Sequence, residues 1–333
     1  MAGVFPAAWI AGSSERIELE WGVLKKRRRQ LMRIAMVGLG KMGLNMARRL
    51  VDGGHEVVGY DRTSGKTKEA QAHGIKGAYS LKELSGALPE PRAVWLMVPA
   101  GEAVDSAIDG LKGCLDKGDI IIDGGNSFYK DGIRRSGELE KLGIEYLDAG
   151  VSGGIWGLEN GYCIMAGGSK KVFDSLEPLF KTLAPPQGYL YCGPAGAGHF
   201  VKMAHNAIEY GMMEAYAEGF ELLKESPYGD GLDFSGVARL WNRGSVVRSW
   251  LLELLEGAFK DNGKLEGISG YVEDSGEGRW AVKDAVDRGV PMPVITEALF
   301  VRFNSRRQDS FAAKVLAALR RSFGGHAVRP EKK

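Results

Sequence analysis

Hydrophobic positions along the chain follow one rule in its first half and another in its second. From Met32 to about residue 195, short apolar runs recur between amphipathic stretches: "RIAMVGLG", "AVWLMVP" (93–99), "DIIIDGG" (119–125) and "IEYLDAGVSGG" (144–154). Continuous apolar runs bounded by glycine predict strands buried on both faces of a largely parallel sheet. The intervening segments 101–113 and 131–142 read as helical links. From His199 onward strand signals fade and long helical patterns take over. The pattern predicts an α/β domain over 32–195 and an all-helical domain over 196–333, divided near the Pro- and Gly-rich "APPQGYLYCGPAGAG".

One helical stretch, "GHFVKMAHNAIEYG" (198–211), departs from its surroundings. At about 100° per residue, Lys202, His205, Asn206, Glu209 and Tyr210 share an arc of roughly 140°. Val201, Met203, Ala204, Ala207, Ile208 and Met212 point elsewhere, which predicts an apolar face packed in a core. Spacing alone is also compatible with a solvated helix face. Met213 returns near the direction of Lys202, so the polar patch is local, and a local patch suggests a site.

Composition narrows the classes. A chain of 333 residues, 44% hydrophobic and 26% charged, has the make-up of a soluble protein of about two domains. Lys plus Arg number 44 against 42 Asp plus Glu, which gives no global case for nucleic acid or an anionic membrane. No apolar run approaches the roughly 18 residues that span a bilayer. Cys114, Cys163 and Cys192 lie far apart without ligand-spaced histidines, which argues against a disulfide framework or a metal site and for a reducing, cytoplasmic setting. Residues 1–31 lack a secretory or transit pattern and read as a disordered N-terminal appendage, with "KKRRRQ" (25–30) a solvated charge run.

The first half opens with a strand, a glycine turn, an amphipathic helix and a second strand, one βαβ unit. Gly38, Gly40 and Gly43 supply G-x-G-x-x-G: the first permits the turn, the second admits a pyrophosphate to the backbone, the third lets helix pack on strand. Leu39, Lys41 and Met42 complete the loop. Asp61, 23 positions after Gly38, stands where an acid binds the adenine ribose and favours NAD, although Arg62 beside it could pair with the 2′-phosphate of NADP. Asp61 could also be a turn-forming residue. Thr63 and the loop residues Val98, Pro99, Ala100 and Asn126 extend the expected cofactor site. The loops "VPAG" (98–101), "DGGNSFY" (123–129) and "VSGGIWG" (151–157) follow strands, where such sheets bind ligands. Asn126, Ser127 and Ser152 add neutral donors suited to a carboxylate or a nicotinamide amide.

Taken in order, "GLGKMG", "DGGNS", "VSGG", "GHFVKMAHNAIEYG", "EGRW", "ALFVRF" and "FGGHA" resemble the decarboxylating 6-phosphogluconate dehydrogenases, in a shorter form, from about Met32 to Val328. The resemblance implies a Rossmann-type NAD-binding domain followed by an all-helical substrate and oligomerisation domain. It implies metal-independent oxidative decarboxylation of 6-phospho-D-gluconate to D-ribulose 5-phosphate and CO2, with NAD preferred and NADP possible. It assigns Lys202 as the base at the C3 hydroxyl and Glu209 as the acid that protonates the enediol at C1. Asn126, Ser152, Gly153, Gly154, His205 and Asn206 would hold substrate oxygens, and Tyr210 and Arg302 the phosphate. Arg279 joins them where longer members usually have lysine. Arg320 and His326 would complete the phosphate site of a neighbouring subunit, which implies a homodimer or homotetramer exchanging tails. Two other readings stand beside this one: a β-hydroxyacid dehydrogenase related to 3-hydroxyisobutyrate dehydrogenase, and a noncatalytic NAD-binding protein on the same fold.

Overall fold

The apolar run at Arg33–Val37 forms β1, and its alternate side chains feed two cores: Ile34 and Met36 join one apolar cluster, Ala35 and Val37 another. This is the period of a strand covered on both faces. A computed structural model describes residues 31–307, 310–324, 327 and 329; of the 1–31 appendage expected to be disordered, all but Leu31 lies outside that range. After β1 come β2 (Glu56–Tyr60), β3 (Lys76–Gly77), β4 (Ala93–Leu96), β5 (Ile120–Asp123), β6 (Glu145–Ser152), β7 (Cys163–Gly168) and β8 (Tyr189–Gly193). They form one sheet in the order β3-β2-β1-β4-β5-β6-β7-β8. Every neighbouring pair is parallel except β6 and β7.

The chain leaves β1 toward β2 on one side and returns to β4 on the other. The strand order therefore reverses between β1 and β4, and the crevice beyond their carboxyl ends is the topological switch point where doubly wound sheets bind ligands. Helix Lys41–Asp52 follows β1 and buries Gly43, Met46, Ala47 and Leu50 against the sheet. β8 lies within the Pro- and Gly-rich passage that the sequence reading set aside as a boundary. It is an edge strand pairing with β7 alone, across a register shift at Ala166/Gly167, and its alternate Tyr189 and Tyr191 rings pack against Phe173.

The chain divides into two compact units, up to Val201 and from Lys202. The sequence reading put the division near residue 195. By contact, the first turn of helix Ala197–Lys224 belongs with the first unit. The fully buried Asp148 carboxylate accepts the backbone N–H groups of Gly196 at 2.6 Å and His199 at 2.7 Å. Gly198 packs so closely on β6 and β7 that a Cβ there would fall 2.4 Å from the Met165 carbonyl oxygen.

The second unit is helical through Phe234–Trp241, Trp250–Asp261, Glu277–Arg288, Pro293–Ser305 and Phe311–Gly324. One apolar cluster gathers Phe220, Ala238, Leu252 and Phe259, with the Phe220 and Phe259 rings 5.0 Å apart. Another joins Tyr210, Ala298 and Leu299. The long helix reverses part of the expected burial. Met203 and Ala207 are buried, but Val201, Ile208 and Met212 are 40%, 56% and 38% exposed, whereas Lys202 and Tyr210, assigned to the polar stripe, are buried. The stripe is covered because the segment around Glu277 and the helix carrying Arg302 pack on it, and apolar side chains are left outward. Among the described residues no helix is long and apolar enough to cross a membrane.

Candidate active site

In the first unit the glycine loop has the steric form its sequence requires. Gly38 has φ +94°, a left-handed conformation that L side chains avoid, and a Cβ there would lie 2.4 Å from the Met97 carbonyl oxygen. A Cβ on Gly43 would lie 2.0 Å from the Gly38 carbonyl oxygen, so helix and loop touch only because Gly43 lacks one. Gly40 differs: a Cβ there meets nothing within 4 Å, and it caps helix Lys41–Asp52 without any side-chain acceptor. The first N–H groups of that helix therefore have no side-chain cap, which suits an approaching pyrophosphate. The cradle fits a dinucleotide.

Asp61 follows β2 and closes the same loop. Its Oδ2 accepts the Leu39 N–H at 2.9 Å and pairs with Lys66 at 3.7 Å; its Oδ1 accepts the Thr63 N–H at 2.9 Å. Asp61 is thus a turn-forming residue and a member of the cradle at once. Arg62 is exposed beside it, and Val98, Pro99 and Ala100 follow β4 across the switch point.

The "DGGNS" loop leaves β5 through Asp123, which is fully buried. Its Oδ2 accepts hydrogen bonds from Ser127 and Tyr146, each at 2.9 Å, and from Arg135 Nη1 at 3.0 Å. Arg135, 1% exposed, also binds Asp105 at 2.8 Å and the Gly101 carbonyl at 3.1 Å, joining the loops after β4 and β5. Asn126 has φ +51°, and its Oδ1 accepts the Val151 N–H at 3.2 Å, which sets it beside the end of β6. Ser152 ends β6, and Gly153 and Gly154 turn the chain with φ +133° and +54°.

In the second unit the helix stripe meets a carboxylate that the sequence reading did not single out. Lys202, 5% exposed, donates from Nζ to Asn206 Oδ1 at 2.7 Å, and His205 Nδ1 lies 2.9 Å from the same oxygen. The Asn206 amide nitrogen donates to Glu277 Oε2. Glu277, 4% exposed, has its carboxyl pushed up to about 7: burial is the main cause, Glu209 adds to it, and Lys202 opposes it. His205 and Glu209 approach to 3.9 Å at the more exposed edge of the stripe.

One turn further, Tyr210 accepts the Ser275 N–H at 3.0 Å, and the Arg302 guanidinium lies 3.7 Å above its ring. Arg302 is buried and donates to the Glu273 carbonyl at 3.0 Å, so it is not the surface charge that arginine usually is. A Cβ on Gly278 would fall 2.7 Å from the Tyr210 ring, which explains the glycine of "EGRW". Arg279 has partners within the second unit. Its guanidinium is held by Asp274 at 2.8 and 2.9 Å and lies 4.3 Å from the Phe303 ring centroid. Arg306 binds the same carboxylate at 2.6 Å, and these hydrogen bonds, Arg279 foremost, outweigh burial and hold Asp274 well below the usual carboxylate range. Arg320 is exposed on helix Phe311–Gly324, and His326 lies outside the described residues.

Each unit has counterparts among known proteins. Residues 33–193 match the model of the NAD binding domain of 6-phosphogluconate dehydrogenase, and residues 198–329 that of the enzyme's C-terminal domain. A Bacillus subtilis protein provisionally named a 6-phosphogluconate dehydrogenase is 48% identical over 89% of this chain and 99% of its own. The NAD(+)-dependent, decarboxylating 6-phosphogluconate dehydrogenase of Haloferax volcanii is 42% identical over 89% of this chain and 98% of its own. The solved 6-phosphogluconate dehydrogenase of Plasmodium falciparum, described in apo form and in complex with its cofactor NADP+ and its substrate 6-phosphogluconate, superposes with a TM-score of 0.76 and 31% identity. That superposition covers 90% of this chain and 67% of the longer parasite chain. With a glycine cradle at the switch point, a buried lysine on an asparagine, and relatives matched over nearly their full length at this identity, the chain belongs to the 6-phosphogluconate dehydrogenase family.

Proposed function

We propose that this protein oxidises and decarboxylates 6-phospho-D-gluconate to D-ribulose 5-phosphate and CO2, using NAD in preference to NADP. The observation that carries the reading is the buried Lys202 amine, oriented by Asn206 within a member of this family. Gly38, Gly40 and Gly43, with the N-terminus of helix Lys41–Asp52, would hold the pyrophosphate, and Asp61 the adenine ribose. Bound there, the nicotinamide cofactor supplies a two-electron hydride acceptor.

The chain's own groups handle the protons. Lys202, as the free amine, takes the proton of the C3 hydroxyl as that carbon is oxidised to a ketone. The resulting ammonium lies at the C3 oxygen while the C1–C2 bond breaks, CO2 leaves, and its electron pair passes into the enolate; a fixed cation stabilises that charge. Glu209 then delivers a proton to the carbon that becomes C1 of the product. His205 and Asn206 orient the hydroxyls between them, and Tyr210 and Arg302 hold the phosphate. Ser152, Gly153, Gly154 and Asn126 serve the sugar-acid end. Arg279, held by Asp274, would act on the phosphate by charge and by fixing the "EDSGEGRW" segment.

The tail is read as serving a second copy. On helix Phe311–Gly324, Phe311, Leu316 and Leu319 are 77%, 63% and 53% exposed, and Ile208 and Phe300 are similarly uncovered. A homo-oligomer, dimer or tetramer, in which this tail brings Arg320 and His326 to a neighbour would cover such side chains.

The test is the stoichiometric formation of NADH, CO2 and ribulose 5-phosphate from 6-phosphogluconate. The expected result includes a loss of at least about 10²-fold in kcat for Lys202→Met. Oxidation of 3-hydroxyisobutyrate instead would favour the β-hydroxyacid reading, and absence of any turnover would leave a binding protein.

A further inference from the structure

Glu277 is a buried carboxyl that the proposed proton relay does not use. It stands at the first position of helix Glu277–Arg288, 4% exposed, and reaches Lys202 through one side chain: Asn206 accepts from the amine and donates to the carboxyl. Two ionisable groups joined by one neutral amide in a buried place titrate as a unit. Four arrangements exist, and the central two hold a single proton: ammonium with carboxylate, or free amine with carboxylic acid. Burial favours the second, whereas the attraction between the two charges favours the first. The surroundings of Glu277 carry the same competition. Lys202 draws it toward the carboxylate, burial and Glu209 draw it toward the acid, and the balance brings it to about 7.

The other charged groups near this pair are accounted for. His205 shares the Asn206 oxygen and approaches Glu209. Asp274, on the segment before Glu277, is held by Arg279 and Arg306. Arg302, on the following helix, lies over Tyr210. Among the described residues these leave Lys202 and Glu209 as the charges acting on the Glu277 carboxyl.

We infer that Glu277 is the proton-linked partner of Lys202: acting across the Asn206 amide, its ionisation state sets the pH at which the amine becomes the free base. The inference rests on Lys202 being the base of the proposed reaction. Ionised Glu277 retains the proton on Lys202; neutral Glu277 releases the amine for the C3 hydroxyl. Glu277 is thus a positioning residue that acts through Asn206 on the base.

The experiment compares the pH profile of kcat/KM for the wild-type protein, Glu277→Gln and Glu277→Asp with 6-phosphogluconate and NAD. Gln keeps an oxygen to accept from Asn206 and removes the charge. Its acid limb is expected to move to lower pH by about one unit, the order caused by one opposite charge nearby, so that it outperforms the wild type at the acid end. Asp keeps the charge and is expected to keep the wild-type limb. A Gln profile that falls uniformly with its limb unmoved would overturn the inference, as would an Asp variant displaced like Gln. Observing the Lys202 Cε resonance through a pH titration of wild type and Glu277→Gln separates this from the reaction itself. An unchanged midpoint there defeats the pairing whether or not the protein turns over, whereas a shifted midpoint without turnover defeats only the assigned reaction.

Discussion

Replacing Arg135 tests whether a buried charge, rather than the glycines alone, holds the cofactor loops in form. Arg135 is 1% exposed and makes three directed contacts: Asp105 at 2.8 Å, Asp123 at 3.0 Å and the Gly101 carbonyl at 3.1 Å. Arg135→Met preserves most of the apolar stem and leaves Asp123 buried without a cation. Breaking a buried pair in this way costs about 3–5 kcal/mol. Asp123 keeps the hydroxyls of Ser127 and Tyr146 and the N–H of Gly125, which places the expected loss near the lower end, about 3 kcal/mol. At about 2–4 °C per kcal/mol, the first unit should melt roughly 6–12 °C lower by calorimetry. If re-ordering the two loops takes about 1 kcal/mol, NAD binding should weaken about fivefold. Acid unfolding supplies an independent reading. Asp105 is held down at about 2, chiefly by the Arg135 hydrogen bond working against burial, with Arg134 adding to it. Stability from a lowered carboxyl is present above its unfolded pKa of about 4 and is lost as pH falls through about 2. Arg135→Met should therefore flatten the stability slope within that window. A stability loss below about 1 kcal/mol, with the acid slope unchanged, would refute the argument that this charge organises the loops.

Two further outcomes follow from the cradle. Gly43→Ala places a Cβ 2.0 Å from the Gly38 carbonyl oxygen, so it should cost about 1–3 kcal/mol and weaken NAD binding in a fluorescence titration; wild-type affinity and melting would contradict the close approach. Steady-state kinetics should give NAD more than about a tenfold advantage in kcat/KM, since a carboxylate at Asp61 repels a 2′-phosphate; equal efficiency would show that Arg62 or Lys66 offsets it.

The strands were legible because an apolar run closed by glycine has few alternatives to a buried strand. β8 was not, since an edge strand between Pro186 and Pro194 carries the composition of a loop. At the site, the glycines and the five-residue stripe could be read because each acts within one local element. Which face of that helix is covered could not, because burial of Lys202 and Tyr210 depends on a segment some 65 to 71 positions away. Asp148, Arg135 and Glu277 escaped for the same reason. In sequence a charged residue does not display its partner, and only partners 51, 12 and 71 positions distant account for the burial of these three.

In the proposed reading Asp61 would tie cofactor choice to loop closure. The carboxylate proposed to reject a 2′-phosphate is also the acceptor that draws the Leu39 N–H into the glycine turn and the Thr63 N–H into the next helix. Converting such a protein to NADP by erasing that side chain would orphan both donors, so a gain in tolerance would arrive with a looser cradle. A substitution such as Asp61→Asn gives up the charge while still presenting one oxygen, and is the smaller step. On the proposed reading, a change of cofactor would have to keep an acceptor at this position for the loop to stay closed.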